Sequence, residues 1–169
     1  MARQERERRY IAEYMKSQFP EGNYILNVPL GPIPDYLVDA HGYAKGSRYY
    51  RPTRPRVDAV QWNADRYLVI EAKLRQAKTG IGDLSFYRSL VPQTIDMPYY
   101  NGQPVVYRLV VPWAIDWIIA AAHSQDIEVD IFWREWIGDY VREIQHYHTA
   151  EYREQRAEKM RLREQLGLD

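Results

Sequence analysis

Cysteine is absent from this 169-residue chain, which excludes a disulfide scaffold, a thiolate zinc site and a cysteine nucleophile. An excess of one charge is also absent, because 23 basic residues balance 23 acidic ones. The longest apolar stretch, residues 105–122, is interrupted by Arg108, Pro112 and Asp116, so it is too short to anchor the chain in a membrane. No secretory signal is recognisable, and we expect a cytoplasmic protein without a membrane partner.

The composition is that of a folded domain. Hydrophobic residues make up 46% of the chain, and 15 tyrosines and five tryptophans are among the aromatic residues. This is enough apolar material for one core and too little for two. We therefore expect a single domain over residues 1–150, followed by a charged helical tail over residues 151–169. Four tryptophans at helical or strand spacing are predicted to lie in the core: Trp113, Trp117, Trp133 and Trp136.

Hydrophobic periodicity and turn residues predict the order helix, strand, long loop, two strands, helix, strand, helix, strand and helix. The predicted elements cover residues 4–18, 24–28, 56–62, 66–74, 83–90, 104–111, 112–122 and 127–133, and a last helix from 136 onward. The segment 29–55 contains five prolines and three glycines and is predicted to be an ordered loop or an irregular hairpin. This order favours an α/β (α+β) fold with a central mixed β-sheet flanked by helices.

Three residues on the two adjacent predicted strands are the candidate catalytic residues. Asp58 lies on the first strand, and Glu71 and Lys73 follow the apolar run Leu68-Val69-Ile70 on the second. Residues two apart on a strand project from the same face, so Glu71 and Lys73 share one. Either these charges break out of a core strand into solvent, or they enter a shared polar cleft.

Carboxylates a few ångströms apart repel each other unless a divalent cation lies between them, and their oxygens suit Mg²⁺ or Mn²⁺. Such an ion can lower the pKa of a water molecule and stabilise charge on a scissile phosphate. A lysine on the same face can orient that water or balance the charge of the transition state. Asp58, Glu71 and Lys73 therefore suit phosphodiester hydrolysis. A surface Glu-x-Lys ion pair of little consequence is the alternative interpretation.

Asp58, twelve intervening residues and then Glu71-Ala72-Lys73 resemble the acid, turn, acid-x-Lys motif of the PD-(D/E)XK nuclease superfamily. The order of elements from residue 4 to residue 133 is similar to the restriction-endonuclease-like core, although Val57 replaces the proline that often precedes the first acid. The resemblance implies that Asp58, Glu71 and the Ala72 carbonyl hold the metal. It also implies an auxiliary acid on the opening helix, Glu13 or alternatively Glu7.

Basic residues concentrate between residues 45 and 78, where nine oppose three acids. Together with nearby tyrosines, they suit phosphates and stacked bases, although a solvated charged face would look the same. The predicted nucleic-acid contacts in this segment are Arg51, Arg54, Arg56 and Lys78. The resemblance adds Tyr87 and Arg88 on the helix that follows.

Two functions are compatible with these patterns. The first is a Mg²⁺-dependent (or Mn²⁺-dependent) deoxyribonuclease that binds and hydrolyses nucleic acid, with DNA preferred as the substrate. The second is a non-enzymatic structural or assembly protein built on a nuclease-like fold, for example in a phage particle. In that case the C-terminal helix would dock on a partner or on further copies of the chain, and the protein would belong to the virion.

Overall fold

The computed structural model describes residues 3–146 and 150–167 and contains seven α-helices and five strands within them. The helices are α1 (Arg3–Gln18), α2 (Asp35–His41), α3 (Tyr43–Tyr50), α4 (Ala77–Leu90), α5 (Asp116–His123), α6 (Glu135–His146) and α7 (Ala150–Gln165). The strands are β1 (Tyr24–Pro29), β2 (Arg56–Trp62), β3 (Tyr67–Ala72), β4 (Val105–Val111) and β5 (Ile127–Ile131). A short 3₁₀-helix (Val91–Gln93) follows α4.

The five strands form one mixed sheet in the order β1-β2-β3-β4-β5. The first three are an antiparallel meander, and β3, β4 and β5 are parallel to one another. Helices α4 and α5 make the two crossovers that parallel neighbours require. The predicted fold class, a central mixed sheet flanked by helices, is confirmed.

Both faces of β3 are covered, which explains its unbroken apolar run. Tyr67 and Val69 belong to a core cluster that includes Leu84 of α4. Leu68 and Ile70 are also fully buried, and side-chain alternation puts them on the opposite face. Helix α1 contacts β2 and β3. The strand that carries Glu71 therefore runs through the centre of the sheet.

Helix α1 is fastened to the last strand by two buried tyrosines. The Tyr10 hydroxyl donates to the Phe132 carbonyl at 2.7 Å, and the Tyr14 hydroxyl donates to Asp130 Oδ2 at 2.7 Å. Both rings also contact the Phe132 ring. These bonds span more than 110 residues of sequence and fix the rotation of α1 about its axis.

The prediction of a loop or hairpin over residues 29–55 is wrong, because this segment contains α2 and α3. Its prolines and glycines mark helix ends: Pro34 immediately precedes α2, and Gly42, with φ at +73°, separates the two helices. Gly46 allows them to pack closely, since a Cβ atom there would lie 3.0 Å from the Leu37 carbonyl oxygen.

Two helix starts and the placement of the tryptophans also differ from prediction. Helix α4 begins at Ala77, six residues before the predicted start, and α5 begins at Asp116 instead of Pro112. Trp113 therefore falls in the loop after β4, and Trp117 lies on α5 beside the buried Ile118. Their exposed fractions are 45% and 60%, and Trp133 is 50% exposed, so the prediction of a tryptophan core is wrong for all three.

The chain divides into two compact units, one up to Phe132 and the other from Trp133 onward, whereas the sequence suggested a boundary after residue 150. The second unit contains α6 and α7. Residues 153–167 are all exposed, and α7 is only partly charged, with Met160 and Leu162 among its exposed apolar side chains. No described helix is long and apolar enough to cross a membrane.

Candidate active site

Asp58 and Glu71 lie at the end of the β2–β3 pair. The ladder pairs Ala59 with Ile70, and the same register one residue further sets Asp58 opposite Glu71. On the other side of β2, pairing with β1 is interrupted at Asn27, which has φ at +58°. Asp58 Oδ2 accepts a hydrogen bond of 2.9 Å from the Ala72 amide. Two carboxylates of opposite strands thus meet where the antiparallel ladder ends.

Lys73 links Glu71 to a third acid, Asp83, which the sequence analysis did not identify. Its Nζ atom donates to Glu71 Oε1 at 2.7 Å and lies 2.8 Å from Asp83 Oδ2. Asp83 belongs to α4, and Gly80 one turn earlier lets that helix approach β3. A Cβ atom at Gly80 would lie 3.0 Å from Lys73 Cγ and 2.5 Å from Leu109 Cδ1.

Burial shapes the electrostatics of the two opposed acids. The Glu71 side chain is 5% exposed, and burial, followed by the negative charge of Asp58, raises its pKa to about 8. Burial also raises the pKa of Asp58, although the Ala72 amide and the Lys73 charge oppose the shift. The charges of Glu7 and Asp83 add to the repulsion. The pair consequently favours a proton or a cation beside its carboxylates.

Two neighbours respond to these charges. Burial alone would lower the pKa of Lys73, but Glu71 and Asp83 outweigh it and raise that pKa above its ordinary value, so Lys73 stays protonated. Burial raises the pKa of Tyr87, and the charges of the nearby carboxylates raise it further. The Tyr87 hydroxyl donates to the Arg56 carbonyl at 3.0 Å. Tyr87 is thus a buried wall of the site, and its ring is closed to the predicted nucleic-acid contact.

The donor set fits a hard divalent cation. Glu71 Oε2 is buried and has no hydrogen-bond partner, which is costly for a carboxylate oxygen unless a ligand occupies that position. Among the described residues, no three histidine or acidic side chains converge to form a complete metal cage. Mg²⁺ commonly takes one or two carboxylates and keeps water for its other positions. Asp58 and Glu71 are the two carboxylates that could meet that requirement, and the share of the Ala72 carbonyl stays a prediction.

Of the two acids predicted on α1, Glu7 is the one whose charge acts on this site. Its charge contributes to the raised pKa of Asp58. Glu13 instead forms an ion pair with Arg9, one turn earlier on the same helix, at 2.6 Å. Glu13 lies six positions after Glu7, so the two point from different sides of α1. The geometry favours the alternative that the resemblance left open.

Arg54 has a structural role in place of the predicted contact with nucleic acid. Its side chain is 1% exposed, and its guanidinium donates to both carboxylate oxygens of Asp96 at 2.7 and 2.8 Å. It also donates to the carbonyls of Leu30 and Gly31. These bonds tie the segment that carries α2 and α3 to the loop after α4. A guanidinium enclosed in this way cannot reach a phosphate.

The other predicted basic contacts differ in availability. Arg51 and Lys78 are exposed, and Arg56 is half-buried and donates to the Arg51 carbonyl at 3.3 Å. Arg88 donates to the Gln125 carbonyl at 2.5 Å, and its guanidinium lies 4.9 Å from the centre of the Tyr107 ring. Arg88 therefore holds the α5–β5 turn, but its side chain is 41% exposed, so its predicted contact with nucleic acid stays a prediction.

No family model matches this chain, and neither the curated proteins nor the solved structures compared with it give a match. The likeness to PD-(D/E)XK nucleases accordingly depends on the motif Asp58, Glu71 and Lys73 and on the order of the elements around it. Function has to be inferred from the chemistry of the site.

Proposed function

We propose that this protein is a metal-dependent nuclease that hydrolyses phosphodiester bonds, with DNA as the preferred substrate. The observation that carries the proposal is the pair of acids on opposite strands, the buried Glu71 and the half-buried Asp58, with Lys73 hydrogen-bonded to Glu71 at 2.7 Å. A buried, partnerless carboxylate oxygen beside a second acid is unfavourable for stability and useful for binding a cation. Shifted pKa values of this kind are common among the titratable residues of functional sites.

In this mechanism, Asp58, Glu71 and the Ala72 carbonyl would hold Mg²⁺, which would lower the pKa of a bound water molecule and stabilise charge on the phosphate. Lys73 remains protonated between Glu71 and Asp83, so it can orient the attacking water and balance negative charge in the transition state. Asp83 positions the ammonium group of Lys73. Tyr87 and the neighbouring core close the site from the α4 side, which strengthens these interactions by excluding water.

The topology supports the same proposal. Helix α1, the antiparallel strands β1 to β3, helix α4 and the parallel strand β4 occur in the order that the restriction-endonuclease-like core would require, with α2 and α3 inserted between β1 and β2. The acids lie on the second and third strands of the meander. Fold alone does not imply activity, so the support is secondary to the site chemistry.

A structural or assembly protein is the second candidate, and one observation favours it. Helix α7 exposes Met160 and Leu162, and Leu166 adjoins it, so three apolar side chains in the last part of the chain are 52–69% exposed. Such a helix suits docking on a partner in a larger assembly. In that case Lys73 would serve only to offset the charge of Glu71 and Asp83.

A nicking assay with Lys73→Met separates the two candidates. Supercoiled plasmid and a labelled RNA are incubated with Mg²⁺, Mn²⁺ or chelator, and Lys16→Met, an exposed lysine of α1, is the matched control. We expect cleavage by the wild-type protein only with metal, a loss of about two to three orders of magnitude in Lys73→Met, and no loss in Lys16→Met. Absence of cleavage, combined with a melting temperature that does not respond to metal, would favour the structural candidate.

A further inference from the structure

A groove extends from the candidate active site along the ends of two parallel strands. One cavity, of about 230 Å³, is lined by Lys73 itself, by the residues that follow β3 and by the end of β4. A second cavity, of about 330 Å³, continues to α5. The two cavities share three lining residues: Gln76, Ala77 and Trp113. Crevices at the carboxyl ends of parallel strands are common ligand sites.

The polar lining of this groove is cationic. Arg75 lines the first cavity and Lys78 the second, and none of the described residues that line either cavity is acidic. Both side chains are exposed, and within the described residues neither forms an ion pair. Arg54 and Arg88, by contrast, are held by internal partners. Arg75 and Lys78 are therefore available to bind a polyanion.

The groove also has two tryptophans in its lining that are partly open to solvent. Trp113 lies between the two cavities, and Trp117, which is 60% exposed, lies at the far side of the second. Exposed indole faces beside cationic groups are suited to stacking with nucleobases, each stacked base adding substantially to affinity. The same alternation of aromatic and basic side chains is typical of surfaces that bind single strands.

We infer that this groove, the tryptophan groove (Lys73, Arg75, Lys78, Trp113 and Trp117), binds a single-stranded segment of nucleic acid. The inference rests on the proposed function: bases stack on Trp113 and Trp117, phosphates contact Arg75 and Lys78, and the strand leads to Lys73. Inside a duplex, each base face is covered by its neighbours, so an indole cannot stack on it without unstacking them. The substrate class is thus a single strand, or a frayed or unwound end.

Binding is measured without catalysis, by fluorescence anisotropy of labelled dT12, rU12 and a 12-base-pair duplex in chelator. The variants are Trp117→Ala, the conservative Trp117→Phe and the double variant Arg75→Ala/Lys78→Ala. Tyr36→Ala, which removes an aromatic ring that is 68% exposed and lines neither cavity, is the matched control. Cleavage of the same oligonucleotides with Mg²⁺ is measured in parallel for the wild-type protein.

We expect Trp117→Ala to weaken binding of the single strands about tenfold or more, Trp117→Phe to restore most of it, and Tyr36→Ala to leave it unchanged. The double variant should lower the slope of log Kd against log salt concentration by up to about two, because up to two phosphate contacts are lost. Unchanged single-strand binding in Trp117→Ala, or a duplex bound as tightly as dT12, overturns the inference. If Trp117→Ala loses binding and the wild-type protein does not cleave, the groove is supported and the proposed nuclease activity is refuted. If the wild-type protein cleaves and Trp117→Ala binds as the wild-type protein does, the nuclease activity is supported and the groove is refuted.

Discussion

Replacing Glu71 with glutamine should stabilise the fold above neutral pH while it abolishes activity. The pKa of Glu71 is raised from 4.5 to about 8 in the folded protein, so the folded state retains a proton that the unfolded chain has released. Stability therefore falls as the pH rises from about 4.5 to about 8. Glutamine resembles the protonated acid in shape and can still accept a hydrogen bond from Lys73, so the variant escapes this loss.

The size of this difference in stability follows from the shift in the pKa of Glu71. Each pKa unit corresponds to about 1.4 kcal/mol, so the full shift of Glu71 corresponds to about 5 kcal/mol of unfolding free energy. The charge of Asp58 contributes to the shift and Asp58 shares the protonation, so changing Glu71 alone recovers only part of this free energy. We expect Glu71→Gln to be about 2–4 kcal/mol more stable than the wild-type protein at pH 8 and nearly equal to it at pH 4.5.

Urea denaturation at pH 4.5 and pH 8, followed by circular dichroism in the presence of chelator, measures this difference. Glu21→Gln, which removes an exposed acid from the turn before β1, is the control and should shift stability by less than about 0.5 kcal/mol at either pH. A Glu71→Gln variant that is no more stable than the wild-type protein at pH 8 would refute the assignment of burial and Asp58 as the causes of the shift.

Three further predictions concern the proposed metal site, the buried Arg54 and the close approach at Gly80. Mg²⁺ should raise the melting temperature of the wild-type protein more at pH 8 than at pH 5, because protons compete for the same oxygens. Calorimetry of Asp58→Asn should show no such rise, and a rise as large as that of the wild-type protein would contradict the proposed metal site. Arg54→Ala should cost about 3–5 kcal/mol in urea denaturation, because Asp96 loses its buried partner; a loss below 1 kcal/mol would contradict the structural role. Gly80→Ala should cost about 1–3 kcal/mol, because its Cβ atom would press on Leu109; unchanged thermal stability would show that α4 can shift without penalty.

Sequence periodicity predicted those features that depend on residues close together along the chain. Alternation on β3 requires Glu71 and Lys73 to share a face, and the apolar run before them requires a central strand covered on both sides. The strand over residues 56–62 follows from the same alternation and matches β2. In segment 29–55, by contrast, prolines and glycines that mark the ends of α2 and α3 resembled those of a loop.

Long-range packing decided the rest of the site. Asp83 reaches Lys73 only because Gly80 lets α4 lie against β3, and no spacing in the sequence connects those residues. Arg54 belongs to a basic run, yet its burial follows from where Asp96 lies, 42 residues later. Exposure of Trp117 depends on the side of α5 that faces the sheet.

The sequence by itself thus determined the residue types, the strand pair and the face on which Glu71 and Lys73 project, since these depend on periodicity along one or two neighbouring strands. Only the tertiary structure decided which charges are buried, which are paired and which are open to a ligand. The physical reason is that desolvation and ion pairing depend on distances between elements far apart in the chain, and these distances are set by how the helices pack on the sheet.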